Sequence, residues 1–180
     1  MKYFEDRVKG REATFEFVAN LCAGCETVLD VGGGAGLLKR FLSPNIKLDV
    51  VDLSPVAKSC GEMLFPEVQF VTGTIDDVGG IYDAITCLST VEHMQSYKPF
   101  LTSAWEKVNK FIVLSFFNGL GGTEKIRRFR RQNDYWKNKY SFRRMQEWIF
   151  TELNPRHMGV KRIEVNRDYS PEPIVVIWKR

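Results

Sequence analysis

Apolar positions along this chain fall into two rhythms. Short, apolar-rich runs occur at 27–31 (TVLDV), 46–51 (IKLDVV), 68–72 (VQFVT), 83–88 (DAITCL) and 111–117 (FIVLSFF), lengths that suit strands rather than helices. The last of these is nearly all apolar, as expected of a central strand covered on both faces. Between the runs, Leu37, Leu38, Phe41 and Leu42 recur at helical spacing, and Ser54-Pro55 reads as an N-cap and first helical residue for a helix ending near Leu64. Phe4, Val8, Phe15, Val18 and Leu21 predict an N-terminal helix or helix pair over 3–22, interrupted at Gly10. Strands alternating with helices imply right-handed crossovers and a mostly parallel sheet. Val160–Val165 and Ile174–Trp178 read as a closing antiparallel pair around a turn containing Pro and Asp. A further helix is expected after Ser141, with Phe142, Met145 and Ile149 turned inward.

Composition narrows this little. The 180 residues, 44% hydrophobic and 27% charged, describe one ordinary globular domain over 1–180 that needs no disulfide or metal staple. No stretch approaches the roughly 20 apolar residues of a membrane span, and Met-Lys-Tyr-Phe-Glu-Asp carries acids where a leader would be cationic and then apolar. An untargeted, cytoplasmic protein is expected. Of Cys22, Cys25, Cys60 and Cys87 only the first two are close in sequence, so a zinc site would lack its second ligand pair.

Charge changes the picture more. Residues 123–144 carry nine Lys or Arg against Glu124 and Asp134, a local +7 within a chain of formal charge +4, which leaves a mildly acidic body. Such a segment either meets something anionic or is a solvated face. Gly119, Gly121 and Gly122 precede it and can hinge it, and Tyr135, Trp136, Tyr140, Phe142 and Trp148 interleave with its cations.

The candidate chemistry sits at the end of the first strand. Asp30-Val31-Gly32-Gly33-Gly34-Ala35-Gly36 ends that strand and opens the first crossover, where open parallel sheets bind ligands. Glycines let a bent backbone approach a ligand closely, and a following helix N-terminus would favour an anionic group. A dinucleotide fingerprint requires Gly or Ala where this chain has Leu37. Asp30 would repel a diphosphate yet suits an amino group. Asp52, at the end of the second strand, stands where a carboxylate accepts the protons of ribose hydroxyls. An amino acid joined to a nucleoside fits best.

In order and spacing, VLDVGGGAGLL, VVDLSP, VQFVTGTIDDV and YDAITCLSTVEHM resemble the class I S-adenosylmethionine-dependent methyltransferases. The resemblance implies a Rossmann-like three-layer sandwich, seven strands with an antiparallel last strand, and S-adenosylmethionine as cofactor with S-adenosylhomocysteine as product. Carried onto this chain, it places the cofactor against Asp30, Gly32, Gly33, Gly34, Gly36, Asp52, Leu53, Thr74, Ile75, Asp76 and Leu88. Two departures stand out. Gly73-Thr74 replaces a frequent Gly-Asp that meets the adenine amino group, leaving Asp76 or the Ile75 amide for that contact. Ser89-Thr90-Val91-Glu92-His93 resembles the E-x-x-E-H of metal-using members with Ser89 in place of the first acid, so no metal requirement is expected.

His93, with Glu92 beside it, is the candidate catalytic residue, because a neutral imidazole can take a proton from an acceptor near pH 7; packing or capping the following helix is its alternative. His157 reads as a surface loop residue. Segment 119–150 is either a substrate lid, with Tyr135, Trp136, Tyr140 and Arg144 toward a small, possibly anionic acceptor, or a packed helix with a basic face. Basic residues interleaved with aromatics also describe single-stranded nucleic-acid binding, so an RNA or DNA methyltransferase, or a non-catalytic cofactor-binding relative, remain the alternatives. Oligomeric state is not encoded in any pattern found.

Overall fold

The computed structural model describes residues 10–117, 119–129, 135–153, 159–166 and 172–180. A seven-stranded sheet forms its middle layer, with β1 (Thr27–Val31), β2 (Lys47–Asp52), β3 (Gln69–Thr72), β4 (Tyr82–Leu88), β5 (Val108–Ser115), β8 (Val160–Asn166) and β9 (Ile174–Lys179) in the spatial order 3-2-1-4-5-9-8. β1, β2, β3, β4 and β5 pair in parallel, and β9 runs antiparallel to both β5 and β8. This is the α/β, Rossmann-like sheet expected from the sequence, and every expected strand lies within a few residues of its place.

The strands form where the apolar runs are because both faces are covered. On one face α3 (Tyr97–Lys107) and α4 (Phe142–Trp148) pack against Leu29, Ile85, Ile112 and Leu114. On the other, α1 (Glu12–Leu21) brings Phe15 and Val18 against Val28, Val50, Ala84 and Val113. Alternate residues of one strand thus serve opposite cores. α2 (Pro55–Leu64) starts as expected, with Ser54 Oγ accepting the Ala57 amide and Pro55 as the first helical residue. α4 is capped in the same way by Ser141, whose Oγ accepts the Arg144 amide, and Met145 and Ile149 are buried.

Two expectations change. The crossover after the glycine loop holds only a single 3-10 turn, Leu37–Arg40, in place of a helix. Leu38 and Leu42 are buried as predicted, but Ser43-Pro44 follows at once and stops any helical extension. Of the described basic segment only the end is helical, as α4, whose Arg143 and Arg144 are exposed. The described part also includes a two-stranded antiparallel ribbon, β6 (Arg128–Phe129) and β7 (Tyr135–Trp136), continued by an antiparallel bridge between Lys125 and Lys139. His157, and the part of the N-terminal helix expectation on Phe4 and Val8, lie outside the described residues. No helix among them is long and apolar enough to cross a membrane.

Candidate functional site

The chain order reverses between β1 and β4, and the loops leaving these strands meet at their carboxyl ends. Gly32 carries φ +70, and a Cβ there would collide with the Thr90 side chain, whose hydroxyl donates to the Gly32 carbonyl at 3.2 Å. Gly33 passes directly over the Asp30 carboxylate, and a side chain would strike it. Gly34, at φ +58, is the loop glycine whose missing side chain faces open space. Gly36 departs from its expected role: a Cβ there would lie 2.9 Å from the Phe70 ring. Its φ of +73 and the close packing explain the glycine, and it does not line the cleft.

Around Gly34 opens a cleft of about 800 Å³, bounded by Asp30, Asp52, Leu88, Thr90 and His93. A second cavity of about 310 Å³ shares Gly32, Asp52, Thr90 and His93 with it and reaches Leu53, Thr74, Ile75, Asp76 and Phe100. The two together form one trough across the switch point.

Asp30 is buried beneath the loop and accepts a 2.7 Å hydrogen bond from the Thr86 hydroxyl. Burial pushes its carboxyl up to about 6, against the lowering effects of that hydrogen bond and of the Arg11 charge. A carboxylate kept this far out of water is disposed to receive a cation. Asp52 accepts the Gly34 amide at 2.9 Å and the Ser54 amide at 2.8 Å, one on each oxygen. These contacts fix its orientation, and each oxygen keeps a second lone pair for a ligand hydroxyl.

In the smaller cavity Leu53 is 74% exposed, an apolar shelf suited to a flat ring. Thr74 and Asp77 form a reciprocal cap, with the Thr74 amide donating to Asp77 Oδ2 at 2.8 Å and the Asp76 amide to Thr74 Oγ1 at 3.3 Å. The Thr74 amide and hydroxyl hold Asp77 below its ordinary carboxyl range. Thr74 is therefore committed to the turn, and Asp76, exposed at the cavity edge, is the acid left facing it.

His93 lines both cavities. Its Nδ1 lies 2.9 Å from the Trp136 carbonyl oxygen, and a carbonyl only accepts. Nδ1 therefore carries the proton, and in the neutral ring Nε2 carries the lone pair. Glu92, its expected companion, points the other way: it is 1% exposed and lines neither cavity. That follows from the 3-10 turn Val91–His93, which sends successive side chains in different directions. Among the described residues no group of three or more His, Cys, Asp or Glu could hold a metal ion.

The substrate residues expected from the variable segment do not line the trough. Tyr140 is buried in the core, its hydroxyl donating to the Met94 carbonyl and accepting from Asn138 Nδ2; its aromatic ring packs edge-on against Tyr97. Arg144 pairs with Glu124 at 3.2 Å on the outer surface. Trp136 contributes its carbonyl rather than its ring, over which Arg128 lies. The Tyr135 side chain lies outside the described residues.

The sequence did not mark the other residues that close the larger cleft as site residues, although Phe15 reads as an apolar helix position and Ser89 as the replaced first acid of an E-x-x-E-H pattern. Arg11, Phe15, Ser89, Phe117 and Glu172 line that cleft, and they come from the chain's two ends and from two strand termini. Ser89 carries φ +53 without being glycine, and this left-handed backbone was invisible in the sequence.

No family model matches the chain. It is 28% identical over 106 residues to the mitochondrial ubiquinone biosynthesis O-methyltransferase of Schizosaccharomyces pombe, covering 52% of this chain and 39% of that one. With the enzyme of the same name from Saccharomyces cerevisiae it shares 31% over 93 residues, 46% of this chain and 30% of the other. The aligned stretch spans well under half the length of either relative. Among solved structures, an amino pentose methyltransferase from Micromonospora echinaspora, with SAM bound, superposes with a TM-score of 0.71 at 14% identity, over 100% of this chain and 98% of its own. Magnesium protoporphyrin IX methyltransferase from Synechocystis, also with bound SAM, gives 0.67 at 15% identity over 98% and 83%. In its fold the chain is similar to these solved S-adenosylmethionine-dependent methyltransferases.

Proposed function

We propose that this chain binds S-adenosylmethionine in the trough and passes its methyl group to a hydroxyl of a small molecule. The observation that carries the reading is the placement of Asp30 and Asp52 on either side of Gly34, whose backbone faces open space. A diphosphate there would meet two carboxylates, whereas an aminoacyl nucleoside supplies an ammonium for Asp30 and ribose hydroxyls for Asp52. Leu53, Ile75 and Asp76 would flank the adenine, the first two by apolar contact and the last by its carboxylate.

The cofactor supplies an activated methyl group. The chain's own residues have to orient the acceptor, exclude water and remove a proton, and alignment alone contributes several kcal/mol. His93 takes the acceptor's hydroxyl proton at Nε2, because its Nδ1 proton is committed to the Trp136 carbonyl. An oxygen acceptor agrees with the O-methyltransferase names of the yeast relatives. With Asp30 and Asp52 given to the cofactor, the remaining charged side chains of the larger cleft, Arg11 and Glu172, pair with each other, which favours an uncharged acceptor over an anionic one. The free thiols Cys22, Cys25, Cys60 and Cys87 suit a reducing compartment such as the cytoplasm.

A thermal-shift titration tests the reading. S-adenosylhomocysteine at about 100 times its dissociation constant should add roughly 2.7 kcal/mol, or about 5–10 °C for a chain of this size. NAD should give no shift; a shift with NAD and none with S-adenosylhomocysteine would refute the cofactor. His93→Gln should keep the S-adenosylhomocysteine shift and lose roughly 10²–10⁴ in methyl transfer.

A further inference from the structure

Methyl transfer makes no use of Cys22 and Cys25. Cys22 is the C-cap of α1, and the chain leaves the helix through a 3-10 turn, Cys22–Gly24, closed by the Cys25 amide donating to the Cys22 carbonyl at 2.8 Å. A turn closed in this way keeps the Cα atoms of its first and fourth residues within about 7 Å, and a disulfide spans about 4.4–6.8 Å. The two thiols also share a side-chain hydrogen bond, so their sulfurs face each other rather than apart.

The pair is asymmetric. Cys22 lies in the apolar cluster under α1 with Phe15, Val18 and Val28, at the negative end of the helix dipole. Its hydrogen bond to Cys25 and its burial hold its proton on, well above the ordinary thiol range. Cys25 is held below that range, first by the hydrogen bond from Cys22 and then by the Lys110 ammonium, against the opposing effects of burial and Asp83. Lys110, on β5, is fixed beside the turn: Nζ donates to the Gly24 carbonyl at 2.7 Å and pairs with Asp83 Oδ2 at 3.3 Å. Ala23 and Gly24 are exposed, so the thiols lie directly beneath a surface turn that can open while the sheet stays formed.

We infer that Cys22 and Cys25 form a redox-active dithiol site that exchanges with low-molecular-weight disulfides and closes into a disulfide at the junction of α1 and β1. The site stands apart from the trough and does not depend on the cofactor reading. With glutathione disulfide, the Cys25 thiolate attacks one sulfur, the glutathione S–S bond breaks, and one glutathione leaves as its thiolate. Cys25 then carries the other half as a mixed disulfide, and the Cys22 sulfur, giving up its proton, attacks Cys25 Sγ and expels the second glutathione. Two protein thiols are oxidised, one glutathione disulfide is reduced, and the two protons end on the two glutathione thiols. In a reducing compartment the pair stays open.

The competing account is two core thiols that only fill space. Incubating the full native chain in glutathione buffers of increasing oxidised fraction, quenching with acid, alkylating in denaturant and mapping peptides by mass spectrometry separates the two. Cys22 and Cys25 should lose alkylation together, their peptide two hydrogens lighter, and dithiothreitol should restore both. Cys60 reports that the reagent reaches a more accessible thiol. Cys22→Ser should stall with glutathione on Cys25, whereas Cys25→Ser should carry at least roughly fivefold less on Cys22. Lys110→Met should slow closure several-fold. The inference is overturned by a pair that stays fully alkylatable in the most oxidising native buffer while Cys60 takes glutathione, by a disulfide that forms only in denaturant, or by a Cys22→Ser variant whose Cys25 remains unmodified.

Discussion

Replacing Asp30 by Asn should make the protein more stable and a poorer cofactor binder. The carboxyl is buried, and its value near 6 against an ordinary 3.8 means that the unfolded chain releases this proton more readily than the folded one. A raised acid is a stability term fully present below about pH 4 and lost as pH climbs through 6. Integrated over that window, the ionised Asp30 costs about 3 kcal/mol at pH 8, about half of that at pH 5, and a few tenths at pH 4. Asparagine is nearly the same shape, and its carbonyl can still accept the Thr86 hydroxyl that Asp30 Oδ1 accepts now. The variant should therefore melt higher than the wild type at pH 8, by roughly 6–12 °C, with the gap closing toward pH 4. Differential scanning calorimetry at several pH values reads this directly. The same substitution should weaken S-adenosylhomocysteine, whose ammonium loses its partner, and wild-type affinity should rise with pH through about 6 as Asp30 ionises. A variant that is less stable at pH 8, or a difference that does not change with pH, would refute the reasoning.

Other outcomes follow from single contacts. Ser54→Ala removes the cap of α2 and should cost about 1 kcal/mol, a fall in melting temperature of roughly 2–4 °C. Gly36→Ala and Gly34→Ala both place a side chain at positive φ, but only the first meets Phe70; Gly36→Ala should be the more destabilised in denaturant melts, and Gly34→Ala the more impaired in cofactor binding relative to its stability loss. Under native conditions a thiol reagent should label Cys60 well before the buried Cys22, Cys25 and Cys87, the last of which burial holds well above the ordinary thiol range; fast labelling of Cys87 would contradict the packing. Mixed single-stranded RNA should not protect the chain thermally, and tight binding that falls steeply with salt would favour a nucleic-acid acceptor.

The strands could be read because an apolar run between two covering layers has little choice of partner. Ser54-Pro55 marked α2 because capping is local chemistry. Asp30, Gly32, Gly34 and Asp52 were legible for the same reason: they lie within a few residues of strand ends whose position the sheet dictates. Where contacts span the chain, local pattern was silent. Arg11 and Glu172 meet across 161 positions, and nothing in either neighbourhood marks the encounter. Tyr140 looked like a substrate wall because basic and aromatic residues alternate around it, yet its hydroxyl is satisfied by Met94 and Asn138 inside the core. The 3-10 turn after the glycine loop shows the limit of periodicity: four apolar residues at helical spacing do not make a helix when Ser-Pro follows them.

The imidazole proposed as the base, His93, is steadied by a peptide group through its Nδ1. Side-chain substitutions along the ribbon that carries this peptide group can therefore alter charge, bulk and aromatic character beside His93 while the imidazole keeps its tautomer.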